Sequence, residues 1–147
     1  MWSPELAAAD PESATSRASE PLELVLTADV RAPRAAREAV GNWLTGQVGV
    51  LVRDDVLLVI SELVTNSVQH AGTAPSDVIR VHVRAWNGRL HVAVEDAGRK
   101  GDVARRPAGP GLAGGLGLNI VDQLTLRWGV SRRRGTRVWA EMARSAA

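Results

Sequence analysis

The sequence predicts an α+β fold: a two-layer sandwich in which a mixed, mostly antiparallel sheet is covered by about three helices on one face. Two alternating apolar segments, Val78–Trp86 and Arg89–Glu95, flank Asn87-Gly88, a pair typical of a type I′ hairpin turn. Upstream of them, apolar residues recur at helical spacing through a long segment. Hairpin-linked strands combined with amphipathic helices favour a sandwich of one sheet and one helical layer.

The first half of the chain contains one predicted strand and two predicted helices. Residues alternate over Leu22–Leu26, which indicates the strand. A helix follows over residues 33–47, because the proline at its start suits the first helical turn. A second helix is capped by Asp54 or Asp55 and runs to about His70. Its apolar face comprises Val56, Val59, Ile60, Leu63, Val64 and Val68.

The second half continues after the central hairpin with a long segment of different composition. Residues 97–114 are rich in glycine, proline and arginine and show no apolar period, which predicts a long loop of functional importance. A helix over about 115–124 follows. The strands Leu126–Val130 and Thr136–Met142 then form a second hairpin around a turn at 132–135.

One domain is expected over residues 21–144, preceded by a tail. Residues 1–20 are rich in alanine, serine, proline and glutamate without periodicity, which predicts disorder. The absence of cysteine excludes disulfides and thiolate metal sites. No apolar run approaches the ~20 residues needed to cross a bilayer, and no signal peptide is evident, so we expect a cytoplasmic protein with no membrane partner.

The charge pattern argues against direct binding of nucleic acid. The formal net charge is only +2, although the isoelectric point is about 10.3. The one run of basic residues, Arg132–Arg134, lies at a predicted turn. The chain has five Trp but no Phe or Tyr, so a platform for stacked bases is not expected.

Two polar residues on the second helix form the first candidate site. Glu62 and Asn66 are four residues apart and therefore project from the same face. The amide oxygen of Asn66 is a suitable ligand for Mg²⁺, and the carboxylate of Glu62 can orient or deprotonate a nucleophile. A solvated helix face is the alternative interpretation.

Two further segments combine glycine with groups that can bind a nucleotide. Asp96 ends a strand, where its carboxylate can accept a hydrogen bond from an amine while Gly98 allows a flat ring close to the backbone. The run from Gly115 to Leu118 opens a helix, whose free N–H groups favour phosphate. An ordinary turn and a flexible hinge are the respective alternatives.

The order of these motifs resembles the GHKL ATPase superfamily over residues 22–142. A helix with Glu-x-x-x-Asn, a strand ending Asp-x-Gly, a glycine-rich loop, Gly-x-Gly opening a helix, and a late strand beginning Gly135-Thr136 follow one another as in that superfamily. The segment Ser61–Ala71 and the tail from Arg127 to Glu141 look like the single-domain anti-sigma-factor serine kinases abundant in actinomycetes.

The resemblance implies ATP and Mg²⁺ as cofactors. Asn66 would hold Mg²⁺ against the phosphates, and Glu62 would be the general base. Asp96 would read the adenine amino group, supported through a water by Thr136. Gly98, Gly115 and Gly117 would let the backbone approach the nucleotide. Leu116 and Leu118 would belong to the same binding segment.

The resemblance also implies a regulatory serine/threonine kinase that phosphorylates a serine of a small anti-sigma antagonist protein. The loop 97–114 would be the ATP lid. A sigma factor is the second candidate partner, and a homodimer is expected because close relatives often pair. The alternative is a non-catalytic, nucleotide-gated protein that sequesters a sigma factor or an antagonist.

Overall fold

A five-stranded antiparallel sheet backs a layer of helices in the computed structural model, which describes residues 20–70, 77–97 and 116–145. The predicted two-layer α+β fold is confirmed, and every described strand pair is antiparallel, so the sheet is not mixed. In chain order the elements are β1 (Leu22–Thr27), α1 (Ala32–Leu44), α2 (Val50–His70), β2 (Val78–Trp86), β3 (Arg89–Asp96), α3 (Leu116–Leu124), β4 (Arg127–Ser131) and β5 (Thr136–Ala143).

The strand order is β1-β2-β3-β5-β4, so the two hairpins lie side by side with β3 paired to β5. The turn between β2 and β3 has Asn87 at φ 56° and Gly88 at φ 76°. Both values are positive, as the predicted type I′ turn requires. The edges of the described sheet are β1 and β4, and its face away from the helices carries the polar set of each strand.

The core lies between the sheet and α2, which packs against α1, α3 and β3. Alternate residues of each central strand turn inward, because the side-chain period of a strand is two. Burying one such aliphatic side chain contributes about 1.5–3 kcal/mol. The largest fully buried side chains are Leu44, Ile60, Leu63, Ile79, Leu90, Val40, Val56, Val59, Val64, Val81, Val83 and Val92. No helix within the described ranges is long and apolar enough to span a membrane.

The junction between α1 and α2 differs from the prediction. The first helix ends at Leu44, and Gly46 adopts φ +83°, which reverses the chain earlier than expected. The second helix begins at Val50, so Asp54 and Asp55 are exposed within it and do not cap it. The hydrogen bond from Arg53 N–H to the Gly49 carbonyl, at 2.9 Å, already belongs to the first helical turn.

The first turn of α2 lies at the end of the sheet that carries the β2–β3 turn. Val50 and Leu51 line a cleft with Arg144. The N–H of Arg144 donates to the carbonyl of Gly88 at 3.0 Å, which places this cleft at the β2–β3 turn. The C-terminal half of α2 therefore points toward the opposite end of the sheet, where β3 ends at Asp96.

Candidate functional site

Glu62 and Asn66 lie at the boundary between core and surface. Both are half-buried, whereas Leu63 and Val64 between them are buried in the core. The two polar side chains thus project from one face of α2, as predicted. Their partial burial gives them a less solvated environment than that of an ordinary exposed helix face.

The side-chain amide of Asn66 has an unmet hydrogen-bonding capacity. Its Nδ2 atom is buried and has no hydrogen-bond partner within the described ranges. Leaving a buried polar group unsatisfied costs about 1–3 kcal/mol, so such groups call for an explanation. A bound ligand with an acceptor oxygen is one explanation, because Nδ2 can donate to it while the amide oxygen can ligate a metal.

The helix face beside Glu62 is braced from α1. The hydroxyl of Ser61 donates to the carbonyl of Leu57 at 2.8 Å. Arg37 Nη1 in turn donates to the Ser61 hydroxyl at 3.4 Å. These contacts connect α1 to the turn of α2 that carries Glu62. Neither Arg37 nor this role for Ser61 was singled out by the sequence, since no local pattern indicates which faces of two helices meet.

Asp96 and Thr136 are direct cross-strand partners. Asp96 is the last residue of β3, Thr136 is the first of β5, and their Cα atoms pair in the ladder. Asp96 continues the inward-facing set of Leu90, Val92 and Val94, and only 8% of it is exposed. A carboxylate with that burial lies on the helix side of the sheet, where it can accept a hydrogen bond from a ligand shielded from water.

Gly135 allows the two strand ends to approach each other. Its φ is +102°, which side chains of L-residues rarely adopt. A Cβ at this position would collide with the carbonyl oxygen of Asp96 and lie 3.0 Å from that of Ala97. The sequence singled out Gly135-Thr136 as the start of a strand, but the contact with Asp96 is visible only in the fold.

The remaining predicted site residues belong to α3 or to parts of the chain outside the described ranges. Leu118 is half-buried and packs against the core. Leu116 and Gly117 begin α3. Gly98 and Gly115 are not described, and neither is the predicted lid beyond Ala97. The structure therefore joins Glu62 with Asn66 on one helix and Asp96 with Thr136 on one ladder, and it directs both pairs to one end of the sheet.

Comparison with protein families gives a match over most of the chain. The family model described as a histidine kinase-like ATPase domain matches residues 26–142. This range includes every described residue of the two pairs. No curated protein matches the sequence.

Among solved structures the chain is similar to the RsbU and RsbW domains of Rv1364c from Mycobacterium tuberculosis. The TM-score is 0.63 at 20% sequence identity. The match covers 88% of this chain and 34% of that one, so this chain spans about a third of its length. At this identity the likeness establishes the common fold, and it agrees with the family match.

Proposed function

Because the chain belongs to the histidine kinase-like ATPase domain family, we propose that it is an ATP-binding regulatory kinase of the anti-sigma-factor type. The observation that supports a working ligand site is the buried amide nitrogen of Asn66 on α2, which has no hydrogen-bond partner in the described part of the chain. The superfamily resemblance drawn from the motif order agrees with the family match.

The adenine end of the proposed pocket is formed by β3 and β5. Asp96 would accept a hydrogen bond from the exocyclic amine, and adjacent Thr136 would support that contact through a water. Burial of Asp96 on the helix side removes competing water, which strengthens a hydrogen bond to a charged acceptor. Guanine carries a carbonyl where adenine carries this amine, so the pocket would select against GTP.

The phosphate end would be formed by α2 and the start of α3. Asn66 would present its amide oxygen to Mg²⁺, which prefers oxygen ligands and retains several waters. The ion would supply charge neutralisation for the phosphates. The free N–H groups at the start of α3, near Leu116 and Gly117, would attract the same negative charge.

Glu62 would act as the general base in transfer to a serine of a partner protein. Its carboxylate would take the hydroxyl proton as the serine oxygen bonds to the γ-phosphorus. The bond between that phosphorus and the β–γ bridging oxygen would break, and ADP would leave with that oxygen. Bracing of Ser61 by Arg37 would hold this turn of α2 in place. The proposed recipient is a small anti-sigma antagonist, with a sigma factor as the second proposed partner.

The second candidate is a nucleotide-gated binding protein without catalysis. The same pocket would bind ATP, and the nucleotide would control capture of a partner. The half-buried carboxylate of Glu62 beside Asn66 favours the kinase, because binding alone requires no base at that position.

The first experiment is a thermal-shift titration with ATP, ADP and GTP, each with and without Mg²⁺. At 100 times the dissociation constant a ligand adds about 2.7 kcal/mol, and a domain of this size gains about 2–4 °C per kcal/mol. We expect a shift with ATP that Mg²⁺ enlarges and that GTP does not produce. Asn66→Ala should lose the Mg²⁺-dependent part, and Asp96→Asn should lose the preference for adenine.

The matched control is Asp54→Asn, an exposed substitution on the same helix, which should retain the full shift. An equal shift with GTP, or an unchanged shift in Asn66→Ala, would contradict the proposed pocket. No shift at millimolar ATP would reject both candidates as nucleotide-binding proteins.

A further inference from the structure

A row of polar side chains crosses the sheet on the face opposite the helices. Arg80 of β2 pairs with Glu95 of β3, Glu95 pairs with Arg137 of β5, and Arg137 pairs with Ser131 of β4. In a strand these positions alternate with the inward-facing set, so all four lie on the open face. The row lies one residue from the pair of Asp96 and Thr136, which belongs to the alternate, inward-facing set of the same strands.

This row forms the floor of a cleft at the strand ends. The cleft has a volume of about 620 Å³, and Arg133 and Arg134 of the β4–β5 turn line it together with Arg80 and Arg137. The arginine run that the sequence places at a turn is thereby brought against two arginines from separate strands. None of these four residues has a role in the proposed phosphoryl transfer.

Three of the four guanidinium groups carry charge that the described part of the chain does not neutralise. Arg137 donates to Glu95 at 3.1 Å and compensates that carboxylate. Arg80, Arg133 and Arg134 are exposed and make no ion pair with a described residue. The acidic residues of the lining are Glu95, which pairs with Arg137, together with Asp77 and Asp96. An anionic ligand would therefore meet three available cations.

We propose that this arginine cleft, lined by Arg80, Arg133, Arg134 and Arg137, binds an acidic peptide segment of a partner protein. Guanidinium groups bind carboxylates through paired hydrogen bonds, and three such groups, one on β2 and two on the β4–β5 turn, match carboxylates spaced along a peptide. Nucleic acid fits less well, because no aromatic side chain lines the cleft. The cleft also reaches Asp96 and Thr136 of the proposed adenine contact, so peptide and nucleotide would bind at neighbouring positions.

The test is fluorescence anisotropy of a fluorescein-labelled hexaglutamate peptide titrated with the full chain, without nucleotide. Reversing two exposed charges at the contact should weaken binding about tenfold in Arg133→Glu/Arg134→Glu. Arg80→Gln, from a different strand, should also weaken it. The interaction should weaken further as salt is raised from about 50 to 150 mM, since exposed charges are screened.

The matched control is Arg132→Glu/Arg89→Glu, which changes net charge equally at exposed positions that do not line the cleft. We expect it to change affinity less than about twofold. Equal weakening by the two double variants would overturn the proposal in favour of a net-charge effect. Tighter binding of an oligothymidine of similar charge, with the same dependence on Arg133 and Arg134, would replace the peptide by nucleic acid. Absence of peptide binding at millimolar protein would also overturn it.

Discussion

Gly135 lies directly against the backbone of Asp96, and no side chain can occupy the position between them. A Cβ there would overlap the Asp96 carbonyl oxygen, and the backbone of Gly135 is already in a left-handed conformation. The absence of a side chain at Gly135 thus allows the paired strands that carry Asp96 and Thr136 to approach closely at their ends. The glycine positions a carboxylate without contacting a ligand itself.

Gly135→Ala should therefore destabilise the domain and weaken ATP binding together. The positive φ alone costs about 1 kcal/mol for alanine, and the collision should add at least about 2 kcal/mol. Urea unfolding measures the first effect and the thermal shift with ATP the second. Gly88→Ala is the matched control, since Gly88 has φ +76° but open space around it. If Gly88→Ala lost as much stability and as much of the ATP-induced shift as Gly135→Ala, the contact with Asp96 would not be the cause.

Asn66→Ala should leave the unliganded protein nearly as stable as the wild type. The substitution breaks no hydrogen bond of the amide nitrogen, because that nitrogen has no partner in the described part of the chain. We therefore expect the free energy of unfolding to change by less than about 1 kcal/mol. Leu63→Ala on the same helix should lose about 2–5 kcal/mol, because its side chain is fully buried. A loss in Asn66→Ala as large as that in Leu63→Ala would identify Asn66 as a structural residue.

Glu62→Gln should separate binding from transfer. The amide conserves shape but cannot take a proton, so transfer should fall about 10²–10⁴-fold while the ATP-induced thermal shift is retained. Transfer is measured as phosphate incorporated into a candidate antagonist protein. Asp55→Asn removes an exposed carboxylate from the same helix and should retain full transfer. Wild-type transfer by Glu62→Gln would exclude it as the base.

His91 should make stability depend on pH below neutrality. Burial, and then the nearby Arg137 and Arg84, hold the pKa of its imidazole below 6.5, although Glu141 opposes them. The unfolded chain therefore binds a proton more readily, so this contribution is complete above about pH 6.5 and is lost as pH falls below it. The pKa of Glu141 is also lowered, through its hydrogen bond with Arg127. Its contribution to stability changes only at pH values below about 4.5, outside the range of the unfolding experiment.

Chemical unfolding measured from pH 7.5 to 5 tests this expectation. The fall in unfolding free energy should be smaller in His91→Gln than in the wild type. Arg84→Gln should move the His91 titration upward in a proton NMR experiment, because one repelling cation is gone. A His91 pKa at or above 6.5 in the wild type would contradict the prediction.

Gly129→Ala should disturb the open face of the sheet near Trp139. A Cβ at Gly129 would lie 2.8 Å from the Trp139 ring, which also stacks on His91 with centroids 6.0 Å apart. Displacing a half-buried ring should cost about 1–3 kcal/mol and change the tryptophan emission spectrum. Gly49→Ala, with open space around it, is the control. An unchanged emission spectrum in Gly129→Ala would contradict the prediction, because it would mean that the surroundings of the Trp139 ring are not disturbed.

The elements of this fold follow from local patterns in the sequence. Alternation and the Asn87-Gly88 turn predicted the β2–β3 hairpin, and helical spacing from Val56 to Val64 predicted the buried face of α2. These signals succeed because strand and helix periods are properties of a few consecutive residues. The motif order likewise predicted the superfamily that the family match confirms. The start of α2 was missed because acidic residues at Asp54 and Asp55 resemble a cap, whereas the chain reversal at Gly46 leaves room for an earlier start.

Only the tertiary structure decided which distant residues meet. The contact of Gly135 with Asp96, the brace from Arg37 to Ser61 and the row from Arg80 to Arg137 each join separate elements. Their formation depends on strand register and helix packing. Both arise from burial of the whole core, so a pattern of a few consecutive residues cannot predict them. The sequence by itself determined the elements and the family, and the packing of those elements decided the geometry in which their side chains can act.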